Sequence, residues 1–350
     1  MSALPFIRPD IARLAAYVPG EQPRDRRYIK LNTNENPYPP SPRVLDALRS
    51  AITADLRLYP DPMASALREK AAEVYGVSAD RILAGNGSDD LLTMIVRACA
   101  GPGDRVFYPT PTYSLYETLV AIQGATSVEV PFPGDFSLPV ERLSEQGQKV
   151  TIVCNPNAPS GTFTPIETID GLARRLRGLL VVDEAYVDFG GASALPLVAK
   201  HDNVLVLRTF SKSFALCGLR IGLAFGSPGV TAALAKVKDS YNVNRLGLVA
   251  AQTALDDYAW MLESTAKVRA TREVLIGGLR ERGFDCLPSE ANFVLARSPG
   301  VDLKPLQARL KAEGILVRHF DTSGLRDALR ITVGTSDEIA SLLTCGAMRA

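Results

Sequence analysis

Lys212 and Arg220 lie in the stretch of this sequence best suited to chemistry. Residues 204–207 are Val-Leu-Val-Leu and predict a buried strand, and a polar turn with Ser211 and Lys212 follows it. Functional groups of α/β proteins collect at the carboxyl ends of such strands, where burial lowers the pKa of a lysine and frees its amine as a nucleophile or base. Arg220 follows eight residues later and offers a planar fork of donors to an anion. A solvated loop lysine is the plainer interpretation of Lys212 taken alone.

An acid and a tyrosine, Asp183 and Tyr186, follow a second apolar strand predicted over residues 179–182. A carboxylate at the end of a buried strand is partly desolvated and requires a cationic partner. Asp183 precedes Lys212 by 29 residues, the length of one strand–helix–strand unit. The two side chains are therefore predicted to lie on neighbouring strand ends. The alternative is that Asp183 only caps the segment that follows it.

Two further loops follow predicted strands. Residues 85–90 join a predicted strand to a predicted helix, and their glycines let the backbone N–H groups of Ser88 and Asp89 converge on an anion. An ordinary serine cap with acidic residues in the first turn is the alternative there. Tyr113 lies in the next such loop and offers a ring on which a flat cationic heterocycle can stack, with core packing as the alternative.

These side chains need a sheet of several strands to position them. A chain of 350 residues suits two domains of about 100–200 residues each. Apolar strands that alternate with helices predict an α/β domain with a mostly parallel sheet, and a long helix over residues 257–281 is predicted to lead into a smaller α+β domain. We therefore predict an N-terminal arm at 1–40, a large domain at 41–260 and a small domain at 261–350.

The composition argues against several classes of function. The chain is 46% hydrophobic and 22% charged with a net charge of +1, so neither nucleic acid nor a membrane is an expected partner. Five scattered cysteines without a CxxC pair predict a reduced, cytoplasmic protein, and two histidines are too few for a typical metal site. The N-terminal residues are interrupted by prolines and charges, which predicts neither a signal peptide nor a transmembrane segment.

Six segments between Leu31 and Thr335 resemble, in order, the motifs of one enzyme family. They include Ser211-Lys212 followed by Gly-Leu-Arg at 218–220, and Leu-Asn-Thr-Asn-Glu-Asn-Pro at 31–37. On these motifs the chain resembles the histidinol-phosphate aminotransferases, a family of fold-type I pyridoxal-phosphate-dependent enzymes. The resemblance implies a large domain with a mostly parallel sheet flanked by helices, a smaller α+β domain, and a homodimer with shared active sites.

The resemblance also implies a role for each candidate side chain around pyridoxal 5′-phosphate. Lys212 would hold the cofactor covalently and act as the general base, Asp183 would face the ring nitrogen, and Tyr186 would donate to the ring oxygen. Tyr113 would stack on the ring. The cofactor phosphate would be bound by Ser88, Asp89, Ser211 and Arg220 together with Tyr59 of the partner subunit, and the substrate by Tyr17, Asn36, Arg318 and Arg330.

One segment departs from the family pattern. Residues 155–161 read Asn-Pro-Asn-Ala-Pro-Ser-Gly, and Ala158 stands where the family has a second central asparagine that binds the cofactor ring oxygen. Asn157, one residue earlier, is predicted to supply that contact instead.

The expected reaction is amino transfer from histidinol phosphate to 2-oxoglutarate, which yields glutamate, in histidine biosynthesis. An aromatic amino-acid aminotransferase and a threonine-phosphate-type decarboxylase on the same fold are the alternatives. A regulator that borrows this fold would carry a DNA-binding domain ahead of it, and the arm that precedes the first motif, about 30 residues and not basic, is too short for one.

Overall fold

The computed structural model describes residues 4, 6–14, 20–322 and 324–348. Within these ranges we find no helix that combines the length and the apolar character needed to cross a membrane. The strands are β1 Ile29–Leu31, β2 Ile82–Gly85, β3 Arg105–Thr110, β4 Thr126–Pro131, β5 Gln148–Cys154, β6 Leu179–Asp183, β7 Val204–Thr209, β8 Gly222–Phe225, β9 Asp285–Cys286, β10 Phe293–Arg297, β11 Ile315–His319 and β12 Ala328–Thr332. The α-helices are α1 Pro9–Arg13, α2 Pro42–Ala51, α3 Ser65–Tyr75, α4 Ser88–Cys99, α5 Leu115–Ile122, α6 Val140–Leu143, α7 Ile166–Arg175, α8 Pro228–Ala235, α9 Arg245–Asp256, α10 Tyr258–Arg280, α11 Lys304–Ala312 and α12 Ser336–Thr344.

The larger sheet has seven strands in the order β2-β8-β7-β6-β5-β3-β4. β8 is antiparallel to both of its neighbours, and the other pairs are parallel. The central strands are continuous apolar runs, which is typical of strands buried on both faces, and every residue of β7 is buried. Because β5, β6 and β7 are adjacent and parallel, their carboxyl ends meet at one edge of the sheet. Asp183 ends β6 at this edge, and the turn with Lys212 follows β7.

Helices cover both faces of this sheet. Leu205 and Leu207 of β7 pack into a core that also contains α4 and α5, whereas Val204 and Val206 pack into a second core with α3, α7 and α9. This alternation fixes the register, because a slip of one residue would exchange the two faces. Each of these side chains contributes about 1.5–3 kcal/mol by its burial.

The smaller sheet has five strands in the order β1-β11-β12-β10-β9. β1 is parallel to β11, with Ile29 opposite Ile315, and the remaining pairs are antiparallel. The segment that was expected to be an extended arm therefore contributes an edge strand to a sheet whose other strands come from the C-terminal part of the chain.

The 23-residue helix α10 contacts both cores, and the core around Leu205 and Leu207 extends without a break into the smaller sheet. Met261, near its start, packs in the core with α3, α7 and α9, whereas Val268 and Leu275 pack in the core that contains β10 and β12. The long helix predicted over residues 257–281 is confirmed. The α/β class with a mostly parallel central sheet is confirmed as well, while the division of the chain at residue 260 stays a prediction.

The spacing of Val44, Leu45, Leu48 and Ile52 predicts one helix over residues 41–56, but the helix in the structure is shorter. α2 begins after Ser41, whose hydroxyl accepts the N–H of Arg43 at 3.1 Å, and it ends at Ala51. Thr53 then starts a separate 3₁₀ turn at Ala54–Arg57, with its hydroxyl accepting the N–H of Asp55 at 3.2 Å. A threonine that bonds the backbone in this way competes with the helix ladder.

Candidate active site

A cavity of about 240 Å³ opens at the edge where β5, β6 and β7 end, and residues of the smaller sheet close its far side. Ten of the residues that were predicted for the site line this cavity. They are Ser88, Asp89, Tyr113, Asp183, Tyr186, Ser211, Lys212, Arg220, Arg318 and Arg330.

Lys212 extends from the turn after β7 into this cavity. Its Nζ donates to the backbone carbonyl of Thr33 at 3.5 Å and lies 5.7 Å from the centre of the Tyr186 ring. Burial lowers the pKa of Lys212 to about 8, and the positive charge of Arg330 acts in the same direction. Roughly a tenth of the amine is therefore uncharged at pH 7, far more than for an ordinary lysine, and a nucleophile or a base requires this uncharged form.

Asp183 lies at the floor of the cavity with 3% of its surface exposed. The hydroxyl of Tyr116 donates to its Oδ2 at 2.7 Å, and the N–H of Ala185 donates to its Oδ1 at 3.2 Å. Burial nevertheless raises the pKa of Asp183 to about 6, because desolvation outweighs the two hydrogen bonds. A cation bound beside this carboxylate would hold it in the ionised form.

The N-terminus of α4 forms an anion-binding corner of the cavity. Its first residues, Ser88 and Asp89, follow Gly87, which adopts a φ of +88°. Arg220 reaches the same corner, where its Nη2 donates to Asp89 Oδ2 at 3.2 Å and its Nη1 donates to Ser211 Oγ at 3.1 Å. Free helical N–H groups, the helix dipole and a guanidinium together suit a phosphate.

Two glycines make the space for this corner. A Cβ atom on Gly87 would lie 2.7 Å from Nη2 of Arg220, and a Cβ atom on Gly222 would lie 2.8 Å from the backbone nitrogen of Ser88. Side chains at these positions would displace the arginine or the start of the helix. Because both residues are glycines, the backbone approaches this corner more closely than it could with any other residue at these positions.

Two tyrosines line the cavity between Asp183 and the smaller sheet. Tyr186 accepts a hydrogen bond from Nδ2 of Asn34 at 3.1 Å, and burial raises its pKa to about 12. Tyr113 donates from its hydroxyl to Asp89 Oδ1 at 3.3 Å and meets the ring of Tyr116 edge-on at 5.6 Å. Each tyrosine thus presents an apolar ring to the cavity and carries a polar hydroxyl at the tip of that ring.

Arg318 and Arg330 supply two positive charges from the smaller sheet. They are register partners across β11 and β12. Both guanidiniums lie over the ring of Phe320, at 5.6 and 5.7 Å, and Nη2 of Arg330 donates to the carbonyl of Asn32 at 3.1 Å. Two arginines on one wall can bind a doubly charged anion or a carboxylate.

Asn157 does not line the cavity. Its Nδ2 donates to the carbonyl of Pro111 at 3.1 Å and to Ser160 Oγ at 2.9 Å, while its Oδ1 accepts from Thr112 Oγ1 at 2.9 Å. The amide is thus committed to its own loop and a neighbouring one, and Ala158 takes the place on the cavity wall. Sequence spacing cannot reveal this, because the direction of each side chain depends on the local turn.

Asn36 lies beside the Lys212 turn and not on the cavity wall. Its Nδ2 donates to the carbonyl of Ser213 at 3.0 Å, and its Oδ1 accepts the N–H of Tyr38 at 3.0 Å. These bonds hold the N-terminal segment against the turn that carries Lys212.

Tyr59 and Tyr17 are the remaining predicted site residues. Tyr59 does not line the cavity of its own chain; it is 76% exposed and stacks on Tyr241 at 4.3 Å with an interplanar angle of 12°. Tyr17 lies outside the described residues.

Sequence reasoning missed two groups of polar residues around the cavity. Asn34, which bonds Tyr186, lies in the 31–37 segment that carries the family resemblance, but no role was predicted for its side chain. Arg208 forms buried ion pairs with Glu184 and Asp188, and Ser213 Oγ donates to Asp188 Oδ2 at 2.5 Å. The buried arginine thus holds the turns that follow β6 and β7. The only sequence signal for it is a charged residue within the apolar run of β7.

The comparisons with known proteins agree with this geometry. A family model described as aminotransferase class I and II matches residues 26–344. Histidinol-phosphate aminotransferase 1 of Trichormus variabilis is 45% identical over 334 residues, covering 95% of each chain, and that of Bradyrhizobium diazoefficiens is 45% identical over 342 residues, covering 97% of each. Among solved structures, histidinol-phosphate aminotransferase of Sinorhizobium meliloti in complex with pyridoxal 5′-phosphate superposes with a TM-score of 0.91 at 29% identity, covering 99% of both chains.

The fold and the cavity thus define a class I and II aminotransferase, and the chain belongs to that class. Within the class it belongs to the histidinol-phosphate aminotransferase family. Both the family and the enzyme class predicted from the sequence are confirmed.

Enzymes of this class use pyridoxal 5′-phosphate, and the residues of the cavity fit that cofactor. The corner beside α4, which a Cβ atom at Gly87 would fill, suits a phosphate. The buried carboxylate of Asp183 suits a protonated ring nitrogen, and the amine of Lys212 suits an aldehyde. Among the described residues, no cluster of histidine, cysteine and acidic side chains suggests a metal ion.

Proposed function

We propose that this enzyme transfers the amino group of L-histidinol phosphate to 2-oxoglutarate. The observation that carries the proposal is the pair Arg318 and Arg330 on one wall of the cavity that contains Lys212. A phosphate and a carboxylate must bind there in alternation, and an arginine fork accepts either. The names of the two relatives that are 45% identical support the choice of amino donor.

We assign the cofactor contacts as follows. Lys212 would hold pyridoxal phosphate through its Nζ, Asp183 would pair with the ring nitrogen, Tyr186 would donate to the ring oxygen, and Tyr113 would pack against the ring. When bound, the cofactor supplies an electron sink that makes the Cα–H bond of an attached amine acidic. The phosphate is held by Ser88, Asp89, Ser211 and Arg220.

The protein's own contribution to the reaction is proton transfer and orientation. Lys212 accepts the proton that leaves the substrate's Cα, and a pKa of about 8 allows its amine both to accept and to release a proton near neutral pH. Asp183 presents a buried negative charge at the cavity floor. Arg330, held by Asn32 and by aromatic rings, orients the anionic end of the substrate.

Steady-state kinetics with two amino donors test this proposal. We expect histidinol phosphate to exceed phenylalanine by at least about tenfold in kcat/KM, or roughly 1.4 kcal/mol in transition-state binding. Arg318→Ala should reduce the reaction of histidinol phosphate far more than that of phenylalanine, because a phosphate dianion gains more from a second cation. Arg174→Ala, which removes an exposed arginine paired with Asp170, is the matched control and should leave both reactions unchanged.

A preference for phenylalanine in the unaltered enzyme would instead assign it to aromatic amino-acid transamination. Release of carbon dioxide from an O-phosphorylated amino acid, with no amino transfer, would assign it to the decarboxylases.

A homodimer is part of the proposal. Four large apolar side chains are exposed in the segment that precedes the exposed ring of Tyr59, and an apolar surface of this kind indicates an interface. They are Leu45, Ile52, Leu56 and Leu58. We assign Tyr59 to the cofactor phosphate of the partner subunit. Sedimentation at assay concentration should give twice the mass of one chain; a fully active monomer would exclude the arrangement.

We also propose a cytoplasmic location. All five cysteines are free thiols in the structure, which agrees with a reducing compartment. Fractionation of the native host should therefore recover the enzyme with cytoplasmic markers.

A further inference from the structure

Asn34 makes four hydrogen bonds at the junction of the two sheets, and it is 1% exposed. Its backbone N–H donates to Thr332 Oγ1 at 3.0 Å, and its carbonyl accepts from Nδ2 of Asn292 at 3.0 Å. Its side-chain Oδ1 accepts from Thr332 Oγ1 at 3.0 Å, and its Nδ2 donates to Tyr186 Oη at 3.1 Å. Asn34 is thus bonded to Thr332 of the smaller sheet and to Asn292 next to it, and it is bonded in turn to Tyr186, which follows β6 of the larger sheet.

The hydrogen bonds from Thr332 to Asn34 and from Asn34 to Tyr186 have a defined order of donors and acceptors. Thr332 Oγ1 accepts from the backbone of Asn34, so its own hydrogen is available for Oδ1 of the same residue. That bond leaves the NH₂ half of the amide facing Tyr186, where it occupies a lone pair of the phenol oxygen. The hydroxyl hydrogen of Tyr186 must then point away from Asn34, and Tyr186 itself lines the cavity.

We propose that Asn34 is a positioning residue that directs the hydroxyl hydrogen of Tyr186 into the cavity, toward the ring oxygen of the bound cofactor. The inference rests on the proposed function, which assigns that contact to Tyr186. The orientation of the Tyr186 hydroxyl matters because the adjacent part of the cavity wall supplies no second donor. Asn157 turns its amide into its own loop and Ala158 lines the cavity, so no amide from residues 157–158 reaches the space in front of Tyr186. A single hydroxyl donor must be oriented to be effective, because a freely rotating one loses its bond part of the time.

The backbone at Asn34 makes this inference unusually open to test. Its φ of +57° lies in the left-handed region, which asparagine, aspartate and glycine adopt more readily than other residues. Asn34→Asp therefore keeps the shape and the backbone but replaces the donor by an acceptor, which would draw the Tyr186 hydrogen out of the cavity. Asn34→Gly keeps the backbone and removes the amide altogether.

The experiment is a double-mutant cycle on the dissociation constant of pyridoxal phosphate from the purified enzyme, measured by ultrafiltration and absorbance. Asn34→Asp is prepared alone and combined with Tyr186→Phe. We expect Asn34→Asp to weaken binding about tenfold when Tyr186 is present, and less than about twofold when residue 186 is phenylalanine, because a bond to a group that is absent cannot be misdirected. Asn34→Gly should weaken binding less than Asn34→Asp, since a free hydroxyl can still turn toward the cavity.

The added carboxylate also changes the charge of the site, and the cycle separates that effect from the proposed one. Equal losses from Asn34→Asp in both backgrounds would overturn the inference, because charge or general structure would then account for them. Unchanged binding in Asn34→Asp would overturn it as well. If the unaltered enzyme binds no pyridoxal phosphate at Lys212, the proposed function itself fails; binding at Lys212 without coupling between residues 34 and 186 rejects the inference alone.

Thermal unfolding of each cofactor-free variant checks that the fold survives. Should Asn34→Asp not fold, Thr332→Val provides a second route, since it removes the hydroxyl that fixes the orientation of the amide while it keeps the shape. The same cycle with Tyr186→Phe should then show coupling of the same sign, and its absence would overturn the inference.

Discussion

Lys212 and Asp183 have pKa values that burial shifts in opposite directions. The pKa of the amine is lowered to about 8 and that of the carboxyl is raised to about 6, because the cavity disfavours the charged form of each group. The cofactor-free protein therefore maintains both groups at a cost in stability. A ligand that reacts with the amine and offers a cation to the carboxylate removes that cost, which couples cofactor binding to folding.

The lowered pKa of Lys212 predicts how fast the cofactor attaches. Only the uncharged amine attacks an aldehyde, so the rate of attachment of pyridoxal phosphate to the cofactor-free enzyme should rise with pH and level off above a midpoint near 8. Stopped-flow absorbance measures the rate, and reduction with borohydride followed by peptide mapping should locate the label on Lys212. A midpoint near the ordinary lysine value of 10.5 would contradict the burial argument.

Asp183→Asn should make the cofactor-free protein more stable at pH 7. The folded-state pKa of Asp183 is about 6, above its ordinary value of 3.8, so the carboxyl favours folding below pH 3.8 and this benefit is lost as the pH rises through 6. An uncharged amide has no such loss, and its advantage should grow between about pH 4 and pH 6 to about 3 kcal/mol. Urea unfolding at pH 4 and pH 7 measures both values.

The same variant should bind pyridoxal phosphate more weakly, because an amide offers no negative charge to the ring nitrogen. A variant that is less stable at pH 7 would show that Asp183 is paired in the folded protein more strongly than its burial indicates. Normal cofactor binding would contradict the assignment of Asp183 to the ring nitrogen.

At the scale of elements, the start of α4 depends on the absence of a side chain at Gly87. Gly87→Ala should weaken pyridoxal phosphate binding by about tenfold or more, since its Cβ would lie 2.7 Å from Nη2 of Arg220 and a φ of +88° strains any residue with a Cβ atom. Gly218→Ala, in the turn just before Arg220, is the matched control because its Cβ would meet nothing within 4 Å. Dissociation constants from equilibrium dialysis test the pair, and equal effects would contradict the steric argument.

Helices, strands and the site residues at strand ends could be predicted because their signals are local. Apolar runs predict β5, β6 and β7, and the side chains that follow such strands must share one edge, which places Asp183 and Lys212 together. β1 has only three residues, and its partner β11 lies nearly the whole chain away. No local periodicity distinguishes such a strand from an extended arm.

Asn34, Asn36 and Asn157 show the limit of the same reasoning within one residue type. Each occurs in a segment that matches or nearly matches the family pattern, and only the contacts of the folded chain decide where the amide points. Asn34 turns toward Tyr186, while the amides of Asn36 and Asn157 bond other loops. The family pattern gave candidate positions, but the direction of a side chain in a turn depends on φ and ψ values that the pattern does not contain.

At the scale of the whole molecule, the proposed dimer predicts complementation between two inactive or weakened chains. If Tyr59 reaches the partner's cofactor phosphate, a hybrid of Tyr59→Phe and Lys212→Ala chains contains one site that lacks both groups and one that is intact. Activity per hybrid should then exceed that of either parent homodimer and approach half that of the unaltered enzyme. Hybrids purified with two affinity tags and assayed with histidinol phosphate measure this; activity no higher than the mean of the parents would exclude a shared site.

The pairing of β1 with β11 also has a consequence for how the enzyme is made. Asn34 leaves the ribosome early, yet its hydrogen bonds to Thr332 span 298 residues of sequence. The wall of the cavity next to Tyr186 is therefore incomplete during nearly all of translation. β1 has no partner strand until β11 has been synthesised. A cofactor that requires this wall is captured only by chains synthesised almost to their end, so that truncated products leave the ribosome without an assembled site.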